Sequence, residues 1–323
     1  MNAGWEPLRV LTPRAILVNV QQPDLVSLLT EEPQSGERLA RRLGVSRVAV
    51  FKRARRMREA GYPLRSSRRG YYWPSGTPAP SPLRQRYSGG LLTQAVYLAE
   101  ASSTQDELLS LAEAGAPQGS VVVAEAQRAG RGRRGRSWLS PVGGLYFSLL
   151  LRPNLPLQSL PLLSLAAGAA LAAACGFGAL KWPNDLLAAD GRKLAGVLLE
   201  ADLRGEEVRH LVLGVGVNFS PPRLAEAAGL SEFTTIGRAD VLASFLRNLE
   251  RLYTSLPNPE KVLAAWRTAS ATLGRRVRVQ TLAGEVAGVA EEVLADGSLT
   301  VRTARGKRKK ITAGDVELIG GGA

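Results

Sequence analysis

Gly130-Arg131-Gly132-Arg133-Arg134-Gly135-Arg136-Ser137-Trp138 packs four arginines and three glycines into nine residues. No core helix or strand tolerates that charge density, and each glycine costs extra entropy to order. The combination suits a mobile loop that closes on an anion: glycine amides approach closely and guanidiniums neutralise phosphate or carboxylate. By spelling it also matches the dinucleotide fingerprint Gly130-x-Gly132-x-x-Gly135. That motif requires an apolar strand before the first glycine and a helix after the last. Ala126-Gln-Arg-Ala129 precedes the loop and Ser137-Trp-Leu-Ser-Pro141 follows it, so the match is read as false. A basic loop that binds nucleic acid is the other reading of this segment taken by itself.

The chain around it has 323 residues, room for two or three domains, and its 45% hydrophobic content fits a folded chain. Its one cysteine, Cys175, leaves no internal disulfide or cysteine-based zinc site, and its apolar surroundings make it a small buried residue. No charged-then-apolar signal opens the sequence, so a cytoplasmic protein is expected. Leu160 to Leu180 carries no charge and is long enough to question as a membrane span; dominated by alanine and glycine and opening on Pro161, it is read as a buried helix. Net charge is +14, and residues 1–73 alone hold 14 Lys and Arg against 6 Asp and Glu. More than half the excess sits in the first quarter of the chain, which predicts a polyanion partner there.

That first quarter reads as a winged helix-turn-helix. Leu39 and Leu43 share one face of a first helix, Gly44 breaks it, and Ser46 caps a second helix over Arg47 to Ala60. The second helix is expected to bury Val48, Val50 or Phe51, and Met57, leaving its cations outside. An apolar helix near Asp24 to Thr30 would complete the core. Pro63 to Tyr72 reads as a hairpin wing with Arg68 and Arg69 at its tip. Ser46, Arg47, Lys52, Arg53, Arg68 and Arg69 are the expected DNA contacts. Residues 1–20 are unassigned, the DNA-binding unit takes 21–73, and Pro74 to Pro82 is expected to be a semi-rigid proline-rich linker.

From Leu83 to residue 272 helices and strands mix: helices at Thr104–Ala114, Leu162–Cys175, Ala239–Leu256 and Pro259–Leu273, and strands at Val121–Glu125, Gly144–Leu151, Leu194–Glu200 and His210–Val217. The order argues α+β, with helices packed on a mixed sheet. After it, residues 273–323 show β-type segments at Arg276–Gln280, Gly284–Val293 and Ser298–Thr303, with Asp296-Gly297 as a hairpin turn, and suggest a small barrel.

Three further segments carry chemistry. Lys181-Trp-Pro-Asn-Asp-Leu186 puts a cation, an amide and a carboxylate around a proline turn. Lys193-Leu-Ala-Gly-Val-Leu-Leu-Glu200 carries a lysine just before a buried strand, and Gly214-Val-Gly-Val-Asn218 brings backbone close to something. With Ser103-Thr104, Ala124-Glu125-x-Gln127 and the arginine–glycine loop, in this order, they resemble the biotin protein ligases. With the N-terminal domain the likeness extends to the bifunctional ligase/repressors of that family, and it covers nearly everything after residue 24.

The resemblance implies a class II synthetase-like catalytic domain and an SH3-like C-terminal barrel. It implies two steps: biotin and Mg-ATP give biotinyl-5′-adenylate and pyrophosphate, and the adenylate then acylates one lysine of a biotin carboxyl carrier protein. It implies biotin contacts from Ser103, Thr104, Gln105, Gln127, Arg131, Gly132, Arg133, Lys193 and Gly196. It places Arg131, Arg133, Arg134, Trp138, Lys181, Asn184, Lys193 and Asn218 near the nucleotide, with Lys193, Arg131, Arg133 and Asp185 catalytic and no protein metal site. Asp185 would orient the incoming amine or coordinate Mg²⁺. Gln105 stands where many relatives have Asn, one methylene further out. Repression of biotin-synthesis genes would follow from binding a biotin operator as an adenylate-dependent homodimer. The alternatives are a ligase whose N-terminal domain is an appendage, a lipoate ligase, disfavoured because the single histidine, His210, is not in the expected motif, and a non-catalytic ligand sensor.

Overall fold

The computed structural model describes residues 24–319 apart from 154, 206 and 257; the unassigned residues 1–20 lie outside them. Three short helices open it: α1 (Leu25–Leu28), α2 (Gly36–Leu43) and α3 (Arg47–Glu59). Each starts on a side-chain cap. Asp24 accepts from the Ser27 amide, Ser35 from that of Arg38 and Ser46 from that of Ala49. Gly44, in the left-handed region, ends α2 and turns the chain into α3. Leu25, Leu28, Leu39, Val50, Ala54 and Met57 form the core of the bundle. The strands β1 (Arg65–Ser67) and β2 (Gly70–Tyr72) make the wing, with Arg68 and Arg69 in its turn.

Two expectations fail here. Val48 is 62% exposed, and of the pair Val50 and Phe51 it is Val50 that is buried while Phe51 is 54% exposed. Val50, Ala54 and Met57 follow the i, i+4, i+7 face, which points Val48 away from the core. Nor is Pro74 to Pro82 a linker. Gly76 to Pro80 are buried, and Pro80 begins helix α4 (Pro80–Arg86), its fixed φ suited to the first turn. Arg86 ties the segment on both sides, 2.8 Å from Glu31 and 2.7 Å from Asp240. Trp73, fully buried, lies with Tyr62 and Tyr97 in an aromatic triad of centroid distances 5.5 to 6.1 Å. Proline rings pack as hydrocarbon, and composition alone does not reveal a partner surface far away in sequence.

The centre of the molecule is a seven-stranded mixed sheet in the order β3-β4-β5-β9-β8-β7-β6. β3 (Gln94–Leu98) and β4 (Ser120–Ala124) are parallel, joined through helix α5 (Thr104–Glu113); every other pairing is antiparallel. β5 (Leu145–Leu151) is buried along its whole length, as a run without polar alternation must be when both faces are covered. On one face α5 packs through Leu108 and Leu111 on Val122, Leu150 and Val212. The other face carries α6 (Leu160–Cys175), α7 (Arg238–Tyr253) and α8 (Pro259–Thr268). The uncharged stretch read as a buried helix is α6, a core element. Burial pushes the Cys175 thiol in it up to about 12, so it is inert.

The hairpin of β8 (Lys193–Arg204) and β9 (Glu207–Val217) completes the sheet, with β6 (Ala179–Lys181) and β7 (Asp185–Leu187) at its edge. Strands β10 (Arg276–Thr281), β11 (Gly284–Val293), β12 (Leu299–Arg302), β13 (Arg308–Ile311) and β14 (Asp315–Ile319) form a separate antiparallel sheet, ordered β13-β12-β11-β10-β14. The architecture is α+β: an N-terminal helix-turn-helix, a central mixed sheet and a C-terminal antiparallel β domain.

Candidate active site

A cleft of about 280 Å³ opens between the arginine–glycine loop and the β8–β9 hairpin. Its floor exists because Gly196 and Gly216 are paired across the hairpin and have no side chains. Trp138 lies on that bare backbone: a Cβ on Gly216 would stand 2.5 Å from its ring. Gln105 similarly covers Gly214, where a Cβ would meet the amide at 2.7 Å.

One end of the cleft is a web of hydrogen bonds among polar side chains. Ser103 caps α5 by accepting from the Gln105 amide, which leaves its hydroxyl in the wall and not on the cleft lining. The Gln127 carbonyl accepts from the Thr104 amide at 2.8 Å and from the Thr104 hydroxyl at 3.1 Å, while its amide donates to Ser140 at 2.8 Å. Gln105 donates to Glu200 at 2.9 Å.

The other end is charged. Asp185 is nearly buried beneath two ammoniums, Lys193 at 2.6 Å and Lys181 at 3.2 Å. Burial pushes its carboxyl up, but Lys193 and Lys181 outweigh that and hold it below the ordinary carboxylate range. The Lys193 ammonium also lies 5.1 Å from the Trp138 ring centroid, a cation–π contact. Asn218 fixes the backbone beneath by donating to the Lys193 carbonyl at 3.1 Å. Lys181 and Asp185 stand opposite each other across β6 and β7, with the turn through Trp182 and Pro183 between them.

The loop spans both ends. Arg131 reaches Asp106 and Glu200 together. Burial opposes its charge, yet these two acids raise its pKa overall. Arg133 lines the cleft, and its guanidinium donates to the side-chain carbonyl of Asn184 at 3.3 Å and to the Gly314 backbone carbonyl at 3.2 Å. Arg134 and Arg136 each meet Asp315 at 3.2 Å. Arg134, with φ 57°, is the turn of a one-turn 3₁₀ segment, so neither strand nor helix flanks these glycines as the dinucleotide motif would require.

The structure therefore brings Thr104, Gln105, Gln127, Arg131, Gly132, Arg133, Trp138, Asn184, Lys193, Gly196 and Asn218 onto one lining. Lys181 and Asp185 stand behind Lys193, and Arg134 points away to the C-terminal sheet. Ser46, Arg47, Lys52, Arg53, Arg68 and Arg69 are exposed on the winged helix, far along the chain from this cleft. Sequence reading missed Asp106, Glu200 and Asp315, acids that become visible only when distant segments fold together. It also missed Leu224, Glu226 and Ala227, which close the cleft beside Lys193; nothing in their spelling marks them. His210 is buried in β9, 3.6 Å from Asp202, and is not part of the lining.

The fold and the cleft define a protein ligase of the biotin/lipoate kind: the biotin/lipoate A/B protein ligase family model matches residues 97–218. A helix-turn-helix model matches residues 22–72, and a biotin protein ligase C-terminal domain model residues 272–319. The chain belongs to the biotin protein ligase family. It is 35% identical over 321 residues to the bifunctional ligase/repressor BirA of Bacillus spizizenii, covering 91% of this chain and 98% of that protein. It is also 35% identical to the biotin–[acetyl-CoA-carboxylase] ligase of Mycobacterium tuberculosis, over 68% of this chain and 86% of that one. The biotin protein ligase of Aquifex aeolicus, solved with biotin and ATP, superposes with a TM-score of 0.59 at 31% identity, covering 70% of this chain and 99% of that one.

Proposed function

We propose that this chain activates biotin with Mg-ATP and transfers it to a lysine of the biotin carboxyl carrier protein of acetyl-CoA carboxylase. The observation that carries the reading is Lys193, its ammonium pinned by Asp185 and laid on Trp138 beneath a four-arginine loop. A carboxylate attacking an α-phosphate brings two anions together, and such a step depends on fixed cations and alignment. Lys193 serves both anions, and Arg131 and Arg133 neutralise the phosphates. The carboxylate oxygen bonds to the α-phosphorus as pyrophosphate leaves. The carrier amine then attacks the acyl carbon, AMP departs, and the amine gives up a proton. Thr104 and Gln127, with Gln105 beside them, offer the donors and acceptors that a ureido ring needs, and Ser103 holds their helix end in place. Gly132 and Gly196 admit backbone close to biotin. Lys181, Asn184, Asn218 and Arg134 stand on the nucleotide side.

Among the described residues no three His, Cys, Asp or Glu side chains gather as a metal site. Both oxygens of Asp185 already hold lysines. These two lysine partners support a role for Asp185 in positioning Lys193, and Mg²⁺ would enter with the triphosphate, as part of the substrate.

Incubation with ATP, biotin and a carrier domain, read by intact mass, tests the reading. The carrier gains one biotinyl group and no lipoyl group when lipoate replaces biotin; an unmodified carrier overturns it.

We further propose a cytoplasmic repressor, binding a biotin operator as a homodimer formed when the adenylate is bound, with its DNA-binding unit at 21–73, the junction at 74–82, the catalytic domain at 83–272 and an SH3-like unit at 273–323. The buried junction around Trp73 favours a second reading, in which the N-terminal domain only stabilises the ligase. A gel shift with the DNA upstream of biotin-synthesis genes separates them: adenylate-dependent retardation supports repression, and its absence supports the second reading.

A further inference from the structure

The outward face of α3 is not uniformly cationic. Val50, Ala54 and Met57 fix the buried face, so at 100° per residue Val48, Lys52 and Arg55 point directly away from the core, with Phe51 beside them. Val48 and Phe51 are among the most exposed large apolar side chains of the molecule. A lone exposed apolar residue needs no explanation. Two on adjacent turns, at the centre of a face otherwise made of Arg47, Lys52, Arg53, Arg55 and Arg56, do. The only acid on this helix, Glu59, is paired with Arg55 at 3.3 Å, so charge complementarity assigns the face to a polyanion.

Phosphates account for the cations and give nothing to a valine or a phenyl ring. In a major groove the apolar feature on a base edge is the 5-methyl group of thymine. Val48 and Phe51 also sit in the first turn and a half of α3, the part of a recognition helix that reaches base edges. Val48 is β-branched and stiff, and so presents its methyls with little entropy to lose.

Resting on the DNA-binding reading above, we propose that Val48 and Phe51 are specificity-determining residues, each seated on a thymine methyl in the half-site. Lys52, Arg53 and the wing residues Arg68 and Arg69 meanwhile fix register on the phosphates.

The test uses the full chain with biotin and ATP. Duplexes are selected from a randomised DNA library, and thymines in the selected sites are replaced one at a time by deoxyuridine, which removes only the methyl group. Two substitutions in each half-site should weaken binding by about fourfold each. Val48→Ala should abolish sensitivity at one position and Phe51→Ala at the other. Selected sites that bind equally with every thymine replaced overturn this inference and leave the repressor reading standing. Failure to select any duplex over scrambled DNA overturns both. Deoxyuridine sensitivity that persists unchanged in the Val48→Ala, Phe51→Ala double variant also overturns it.

Discussion

Asp185 is the residue through which the cleft holds its charge. Two ammoniums on one carboxylate leave a local excess of positive charge, available to an anion that enters beside Lys193. Lys193→Ala removes the cation meant for both reacting groups while Asp185 keeps Lys181. Adenylate formation should fall at least about a hundredfold, the scale of losing one transition-state donor, with little change in thermal stability; pyrophosphate release at the wild-type rate contradicts the assignment. Asp185→Asn tests the pairing itself. Because the folded carboxyl is held below its ordinary 3.8, the stability it contributes is fully present above that value and is lost as pH falls through the folded one. The melting-temperature gap between wild type and Asp185→Asn should therefore be constant from neutrality to about pH 5 and shrink below it; a gap that widens on acidification contradicts the pairing. Lys193 and Asp185 were both legible in sequence, because a cation at a strand entrance and an acid after a proline turn are local signals. Their partnership was not, since it depends on β7 pairing with β8.

At the scale of elements, the arginine–glycine loop is tethered to the C-terminal sheet through Asp315. Arg134 and Arg136 meet that carboxylate at 3.2 Å and Arg133 at 3.7 Å, all partly solvent-exposed. Exposed pairs of this kind contribute about 0 to 1 kcal/mol each, enough to bias the loop and too little to lock it against substrate entry. Asp315→Ala should leave the loop looser over the intermediate, so that activated biotin escapes and labels bystander lysines several-fold more. Unchanged labelling in the presence of excess albumin would remove Asp315 from that role. The long helices and the β8–β9 hairpin were readable because periodicity and apolar runs extend over ten residues or more. β3, β6, β7, β13 and β14 were not: they are three to five residues long and owe their form to sheet neighbours.

The whole molecule is more tightly joined than its composition suggests. Pro74 to Pro82 looked like a spacer because proline and glycine dominate it, whereas its prolines start α4 and pack inside. The aromatic triad of Tyr62, Trp73 and Tyr97 and the Glu31–Arg86–Asp240 bridges bind the winged helix to the catalytic sheet. The longest of these contacts, Arg86 to Asp240, joins residues 154 positions apart, which no local pattern encodes. Calorimetry should show the helix-turn-helix and the catalytic domain melting together in the intact chain. Trp73→Ala, which opens a cavity costing about 3 to 5 kcal/mol, should split off a separate, earlier transition; a single undisturbed transition would contradict the joint.

The central claim is that fixed cations under the arginine–glycine loop join one carboxylic acid to one nucleotide. Biotin-dependent exchange of labelled pyrophosphate into ATP measures that step without any carrier protein. The expected result is exchange with biotin, none with lipoate, and none in Lys193→Ala; ATP labelling that is indifferent to biotin, or absent with it, contradicts the account.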